Sequence, residues 1–341
     1  MSFIDKIFSS PQKRGSQLIE AITSNNLEKV KLLLEKGADL NMKNEKGANA
    51  LIMAISKGYI EIAQFLIESG AEVNAKDKSG WTALIWASTG GYIKIVQLLI
   101  EKRADINLKD EQGRTALHSA SIKGHFELAQ LLIEKGAQIN AKYEDGTTSL
   151  NWALVHGHLK LAQLLIEKGA DVNAKDKEGW DIFFIAAQRR DSELAQLLID
   201  KGADVNAKNK DGWSALYYAV YYESLPMIKF LIKSKININA EIDAKGMYER
   251  SALHLAIHNG HTEIVQLLIE NGADINAKDP IGWNAFFWAS WSGHLEIVRL
   301  LIKKGVDVKA KSNDGKTAFR FASERGKWEV ADFLKGKGLD I

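Results

Sequence analysis

His258 and His261 stand three residues apart, a separation at which two imidazoles on one helix face can share a metal ion. Gly260 lies between them where a helix is expected to end, which takes them off a common face, and the chain has no cysteine to complete a thiolate set. The recurring carboxylates Asp105, Asp171 and Asp204 belong to a repeated Ala-Asp-Val/Ile-Asn segment, where a short acidic side chain serves a turn first. Glycines fall one per turn, with no G-x-x-x-x-G-K-[ST] segment to cradle a phosphate. No acid, base and nucleophile converge, so the chain reads as non-enzymatic, with no cofactor and no metal.

The side chains with capacity for recognition are aromatic. Trp81, Trp180, Trp213 and Trp283 each follow a turn glycine directly. Five residues beyond such a position stand Trp86, Trp152, Tyr218 and Trp288, and the next turn of the same helix adds Tyr221, Tyr222 and Trp291. Arg189 lies near this set, as do Arg114, Arg190 and Arg250. Trp and Tyr, joined by Arg, are the residues most enriched among energetic anchors of interfaces. A row of them facing solvent would exceed the roughly few hundred Å² of apolar patch that a monomer ordinarily exposes.

The elements that position these residues are written in a period. Gly47, Gly80, Gly113, Gly146, Gly179 and Gly212 are spaced 33 residues apart, and the beat resumes at Gly282 and Gly315. Two residues after each turn position stands Asn49, Thr82, Thr115, Thr148, Asp181, Ser214, Ser251, Asn284 or Thr317. All are strong helix N-caps, worth about 1 kcal/mol each. Second helices such as Glu127 to Lys135 and Glu193 to Lys201 carry Leu and Ile at the spacing of a wide apolar stripe. Glycines such as Gly136 and Gly169 close them, whereas Arg103 and Lys235 take that place in two copies. A fixed period of this length predicts stacked two-helix units, each burying its neighbour's apolar face.

Segments such as Asp110 to Ala141, with the Thr-x-Leu-His motif, the Gly-His bridge and the final Asn-Ala, resemble ankyrin repeats, from about residue 15 to the C-terminus. The resemblance implies an all-α fold, an ankyrin-repeat solenoid of stacked helix-turn-helix units joined by β-hairpin-like finger loops. The expected organisation is an N-terminal tail over 1–14, a capping helix pair over 15–42 (Gln17 to Ser24 and Leu27 to Glu35), eight repeats over 43–310 and a ninth, capping repeat over 311–341. The eight begin near 43, 76, 109, 142, 175, 208, 241 and 278, and the whole is expected to form a single curved domain. In such arrays the aromatic positions line the concave groove between fingers and inner helices. His118, His254, His125, His158, His261 and His294 would then be framework, bonding neighbouring backbone.

The pattern breaks in one region. The inter-helix glycine seen at Gly58, Gly91, Gly124 and Gly157 is replaced by Arg190 and then Glu223. The following copy runs 37 positions instead of 33, with Glu249 at the turn-glycine place. Rules broken in succession mark residues 183 to 250 as a place for a specialised surface.

Lys plus Arg number 45 against 43 for Asp plus Glu, so no net field exists to hold a nucleic acid. No apolar run approaches the roughly 18 residues of a membrane span, and the opening residues lack the order of a secretory signal. The expected protein is cytoplasmic and monomeric on its own, or a secreted host-directed effector if its source is an intracellular bacterium. Its expected role is a non-catalytic scaffold binding a protein or peptide in the aromatic groove. One alternative is a methyl-lysine or cationic-peptide reader, with one cation between Trp180 and Trp213 at about 10 Å spacing and Glu178 or Asp211 beside it. The other is a self-associating structural scaffold.

Overall fold

Asn41 begins a device that explains the stacking: its Oδ1 accepts from the backbone N–H of Glu72, in the next helix pair, at 2.9 Å. Asn74 does the same for Asp105, Asn107 for Gln138 and Asn140 for Asp171. The amide nitrogens of three of them also donate forward, Asn74 to Arg103 O, Asn107 to Gly136 O and Asn140 to Gly169 O. An asparagine carries a donor and an acceptor on one short arm, so each latches two groups of the neighbouring turn at once.

The computed structural model describes residues 11–242, 251–279 and 281–339. Among these are twenty helices in pairs, with no strand beyond the isolated antiparallel bridges Lys76–Thr82 and Lys208–Ser214. The chain divides into two compact units, Met1–Ala174 and Lys175–Ile341, where the period alone suggests one continuous body. The first holds α1 (Pro11–Thr23), α2 (Leu27–Glu35), α3 (Ala50–Ser56), α4 (Ile60–Glu68), α5 (Ala83–Gly90), α6 (Ile93–Glu101), α7 (Ala116–Lys123), α8 (Phe126–Glu134), α9 (Ser149–Val155) and α10 (Leu159–Glu167). The second holds α11 (Ile182–Arg189), α12 (Ser192–Asp200), α13 (Ala215–Tyr221), α14 (Leu225–Lys233), α15 (Ala252–His258), α16 (Thr262–Glu270), α17 (Ala285–Ser292), α18 (Leu295–Lys303), α19 (Ala318–Glu324) and α20 (Trp328–Gly336). No described helix is long and apolar enough to cross a membrane.

Within each unit, first helices of successive pairs pack on one another and are buried almost all round, as in Ala50 to Ile55 of α3 or Ala285 to Ser290 of α17. Second helices bury one stripe, such as Leu128, Ala129 and Leu132 of α8. The capping residues stand where the sequence places them: Asn49 accepts from Ile52 N, Asp181 from Phe183 N and Phe184 N, Asn284 from Phe286 N and Phe287 N. Arg103 (φ 65°) and Lys235 (φ 60°) keep the left-handed conformation of the glycines they replace, so the backbone has not been remodelled around them. The first capping helix runs Pro11–Thr23, beyond the expected Gln17 to Ser24. Pro11 suits a helix's first turn, where the missing N–H has no intrahelical partner to lose.

Successive fingers are tied as well. In the first unit Lys78 N donates to Lys46 O at 2.9 Å and Glu111 N to Ser79 O at 3.2 Å; in the second Lys210 N donates to Glu178 O at 3.0 Å. Lysine ammoniums reach the following finger's carbonyl, Lys76 to Lys109 O and Lys208 to Glu241 O.

Candidate functional site

Several of the described fingers are built around one short polar residue. Asp77 Oδ1 accepts from Ser79 N and Trp81 N, Asp176 Oδ1 from Glu178 N and Trp180 N, and Asp279 Oδ1 from Ile281 N and Trp283 N, all within 3.0 Å. The second carboxylate oxygen is then free to take a donor from the first helix. Trp86 Nε1 donates to Asp77 Oδ2 at 3.4 Å, and Trp288 Nε1 to Asp279 Oδ2 at 3.0 Å. In the finger before α9 Tyr143 replaces the acid, and Trp152 Nε1 is buried without an acceptor.

In the first unit, half-buried Trp81 packs on Trp86 with centroids 4.3 Å apart, and the Arg114 guanidinium lies 4.8 Å over Trp81 and 5.7 Å from Tyr143. Trp152 meets Tyr143 at 5.9 Å on one side and stacks on exposed His156 at 5.9 Å on the other. These rings pack locally, around a cation the chain supplies itself.

The second unit holds the densest set. Trp180 lies edge-on to Phe184 (4.6 Å), Tyr218 (5.2 Å) and Trp213 (6.1 Å, interplanar 75°). Trp213 in turn meets Tyr217 (5.0 Å) and Tyr221 (5.6 Å), while Tyr222 packs on Tyr218 (4.7 Å) and Tyr221 (5.1 Å). Tyr221 is 49% exposed and Tyr222 38%. Burial, then a hydrogen bond with Tyr222, holds the Tyr218 phenol well above its ordinary value. The edge-to-face contact of Trp180 and Trp213 replaces the expected 10 Å spacing and leaves no ion-sized gap between facing rings. Arg189 is exposed at the end of α11.

One finger residue differs here. Asn209 Oδ1 takes Asp211 N (3.0 Å) and Trp213 N (2.9 Å) as its aspartate counterparts do, which fixes the other terminal atom as the amide nitrogen. Asn209 is 6% exposed, and both its Nδ2 and the Nε1 of Trp213 are buried without an acceptor. The residue nine positions on is Tyr218 and not tryptophan.

A second aromatic set spans α15, α17 and α19. Trp283 packs on Phe321 (4.2 Å), Trp288 (5.1 Å) and Trp291 (6.0 Å). Trp291 stacks beside His258 (6.1 Å, interplanar 25°), with the Arg325 guanidinium 4.3 Å from its ring. Trp288, expected on the open face, is a correction: at 4% exposure it is core, enclosed by Trp283, Trp291 and His258 with its indole N–H met by Asp279. Trp328, at 65% exposure, was missed; its signal is a Trp at the start of a second helix, where other copies place Ile93, Leu159 or Leu295.

The region of broken pattern proves to be re-linked. Elsewhere a histidine reaches back to the preceding pair, His125 Nε2 to Thr89 O (3.3 Å), His158 to Ile122 O (3.2 Å) and His294 to His258 O (3.1 Å). These rings are what the inter-helix glycines accommodate: a Cβ at Gly91 would stand 2.8 Å from His125 Cε1, and one at Gly260 2.7 Å from His294 Cε1. Ser224 takes the histidine's place in one pair, 34 residues after Arg190 (φ 57°), and Arg190 donates forward to Tyr222 O at 2.8 Å. Glu223 (φ 55°) instead meets His261 Nε2 at 3.3 Å. His258 and His261 thus have different neighbours. Arg250, Glu249 and most of the insertion over 241–250 lie outside the described residues.

His118 and His254 are framework. His118 Nδ1 accepts from Thr115 N at 3.2 Å, and His254 Nδ1 lies 3.1 Å from Ser251 Oγ. Burial lowers both to about 4, and for His118 the charge of Lys109 adds to the effect. Burial raises Asp181 to about 6, its two backbone N–H partners opposing.

Comparison with known families matches residues 18–110, 103–176, 173–242 and 253–341 to ankyrin repeats (3 copies), and 221–269 to ankyrin repeats (many copies). A search of curated proteins returned no match. Latched helix pairs, aspartate-built fingers and family matches that reach both units lead to one assignment: the chain belongs to the ankyrin-repeat family.

Proposed function

We propose that this protein is a non-catalytic interaction scaffold whose partner, a protein or peptide, docks on the aromatic face formed by Trp180, Trp213, Tyr218, Tyr221 and Tyr222. Ankyrin repeats in general mediate protein–protein interactions. One observation carries the choice of face: Tyr221 and Tyr222 stay exposed at 49% and 38% although the rings beside them are packed. Rigid aromatic side chains with two side-chain torsions lose little entropy on docking, and a prefolded array loses little more. Arg189, on the preceding helix, adds a charged rim.

The cationic reading loses support from the closed contact of Trp180 and Trp213, and Arg114 and Arg325 already occupy faces of Trp81 and Trp291. The test is affinity capture from a lysate of the source with the wild-type chain and a Tyr221→Ala/Tyr222→Ala variant. Both substitutions are at exposed rings, and the melting temperature of the variant is recorded alongside. Loss of captured proteins with the fold intact supports the face; an unchanged set removes it. Light scattering at two concentrations addresses self-association.

A further inference from the structure

Building on that reading, we infer that the ligand of this face is a proline-rich segment in the polyproline II conformation, its backbone carbonyls received by Trp213 Nε1 and Asn209 Nδ2. Asn209 is nine-tenths buried and its Nδ2 has no acceptor, and Trp213 Nε1 nearby is in the same state. Leaving such donors unmade costs stability; in two other fingers the atom equivalent to Asn209 Nδ2 is a carboxylate oxygen that accepts from the indole nine residues on, Trp86 or Trp288. Asn209 reverses the polarity of this position from acceptor to donor. Two unmet donors call for a ligand that brings acceptors. A prolyl backbone does so, because each proline offers a carbonyl and no N–H.

The surroundings agree. Five Trp and Tyr rings, in contacts of 4.7 to 6.2 Å, make the kind of aromatic surface on which proline rings dock. A polyproline II strand is ordered before it binds, so little ordering cost falls on the complex. Charges on the two neighbouring finger tips alternate, Lys177 with Glu178 and Lys210 with Asp211, all exposed, so no single-sign field selects a charged peptide. Both donors are covered in the free protein. Binding therefore requires a side chain to move, and Tyr221, 5.6 Å from Trp213, is the most exposed of the rings beside it.

The test uses the full chain and synthetic uncharged peptides with Pro-x-x-Pro cores, beside matched peptides in which every proline is alanine, with binding followed by tryptophan fluorescence and calorimetry. The expected result is binding of the proline set at least about tenfold tighter than the alanine set. Trp213→Phe keeps a ring and removes the N–H; Asn209→Asp installs the residue found in other fingers and replaces the donor by an acceptor. Each is expected to lose about tenfold in affinity with the melting temperature retained, while Trp291→Phe, in the other aromatic set, binds as wild type. Equal binding of proline and alanine peptides, or unaltered affinity in both Trp213→Phe and Asn209→Asp, overturns the inference; the second result would mean that water satisfies the donors. Loss of captured partners in the Tyr221/Tyr222 variant together with indifference to proline removes the ligand assignment alone, whereas an unchanged capture removes the face with it.

Discussion

Asp279 Oδ2 accepts the indole proton of Trp288 at 3.0 Å, and both residues are buried. Trp291, one helical turn on, has no such acceptor and remains half-buried between His258 and Arg325. Trp288 thus has both its ring and its indole N–H enclosed, whereas Trp291 keeps part of its ring in solvent. Trp288→Ala is expected to cost about 3–5 kcal/mol in urea denaturation, and Tyr221→Ala no more than about 1 kcal/mol. A Trp288→Ala midpoint equal to that of wild type would show that the ring is not core.

Gly91 (φ 71°) faces the ring of His125 in the next pair, whereas at the same 34-residue spacing Arg190 is followed by Ser224. Gly91→Ala is therefore expected to destabilise by about 2 kcal/mol through strain and clash together. In a His125→Ser background only the backbone term of about 1 kcal/mol remains. The double-mutant cycle measures the difference, and strictly additive costs would refute the steric account.

Asp181 is raised to about 6 from an ordinary value of 3.8. The folded state favours the protonated carboxyl, so this contribution to stability is full below pH 3.8 and lost as pH rises through 6. At neutral pH the loss is on the order of 2–3 kcal/mol. Asn49 and Asn284 cap equivalent helices through Oδ1, so Asp181→Asn is expected to keep the cap and raise stability at pH 7, with the gain shrinking toward pH 4. Thermal melts across that range read it directly, and a gain independent of pH would contradict the assignment.

His118 and His254 act with the opposite sign. Lowered to about 4 from 6.5, they contribute stability above pH 6.5 that is lost as pH falls through 4, each on the order of 3 kcal/mol. Asn151 holds the position of His118 in the next pair and accepts from Thr148 N at 2.9 Å. His118→Asn should accordingly keep the capping box and flatten the acid side of the pH profile. An acid limb as steep as that of wild type would assign the loss to other groups.

The repeat beat and the N-caps were legible because each rests on local chemistry that recurs from copy to copy: a left-handed turn at Gly80, an oxygen at Thr82. The reach-back of His125 was legible only through the family resemblance, and the other contacts that join residues from different copies were not. The loss of glycine at Arg190 and Glu223 could be read as a departure, but the partners of these two side chains, Tyr222 O and His261, lie one copy further on. The aromatic row was visible at its spacing, yet nothing in spacing tells that Trp180 and Trp213 touch or that Trp288, its indole N–H met by Asp279, lies in the core. Polarity was the subtlest loss: Asn209 differs from Asp176 by one atom type, and only the geometry shows that the change leaves a donor unmet.

Asn239 latches Asp274 N and Gly272 O at intervals of 35 and 33 residues, where Asn107 spans 31 and 29 to its own partners. Four additional residues therefore intervene without altering which groups the asparagine grips. At this joint chain length is decoupled from register: the clasp shuts on the equivalent pair of atoms although four more residues separate its two halves.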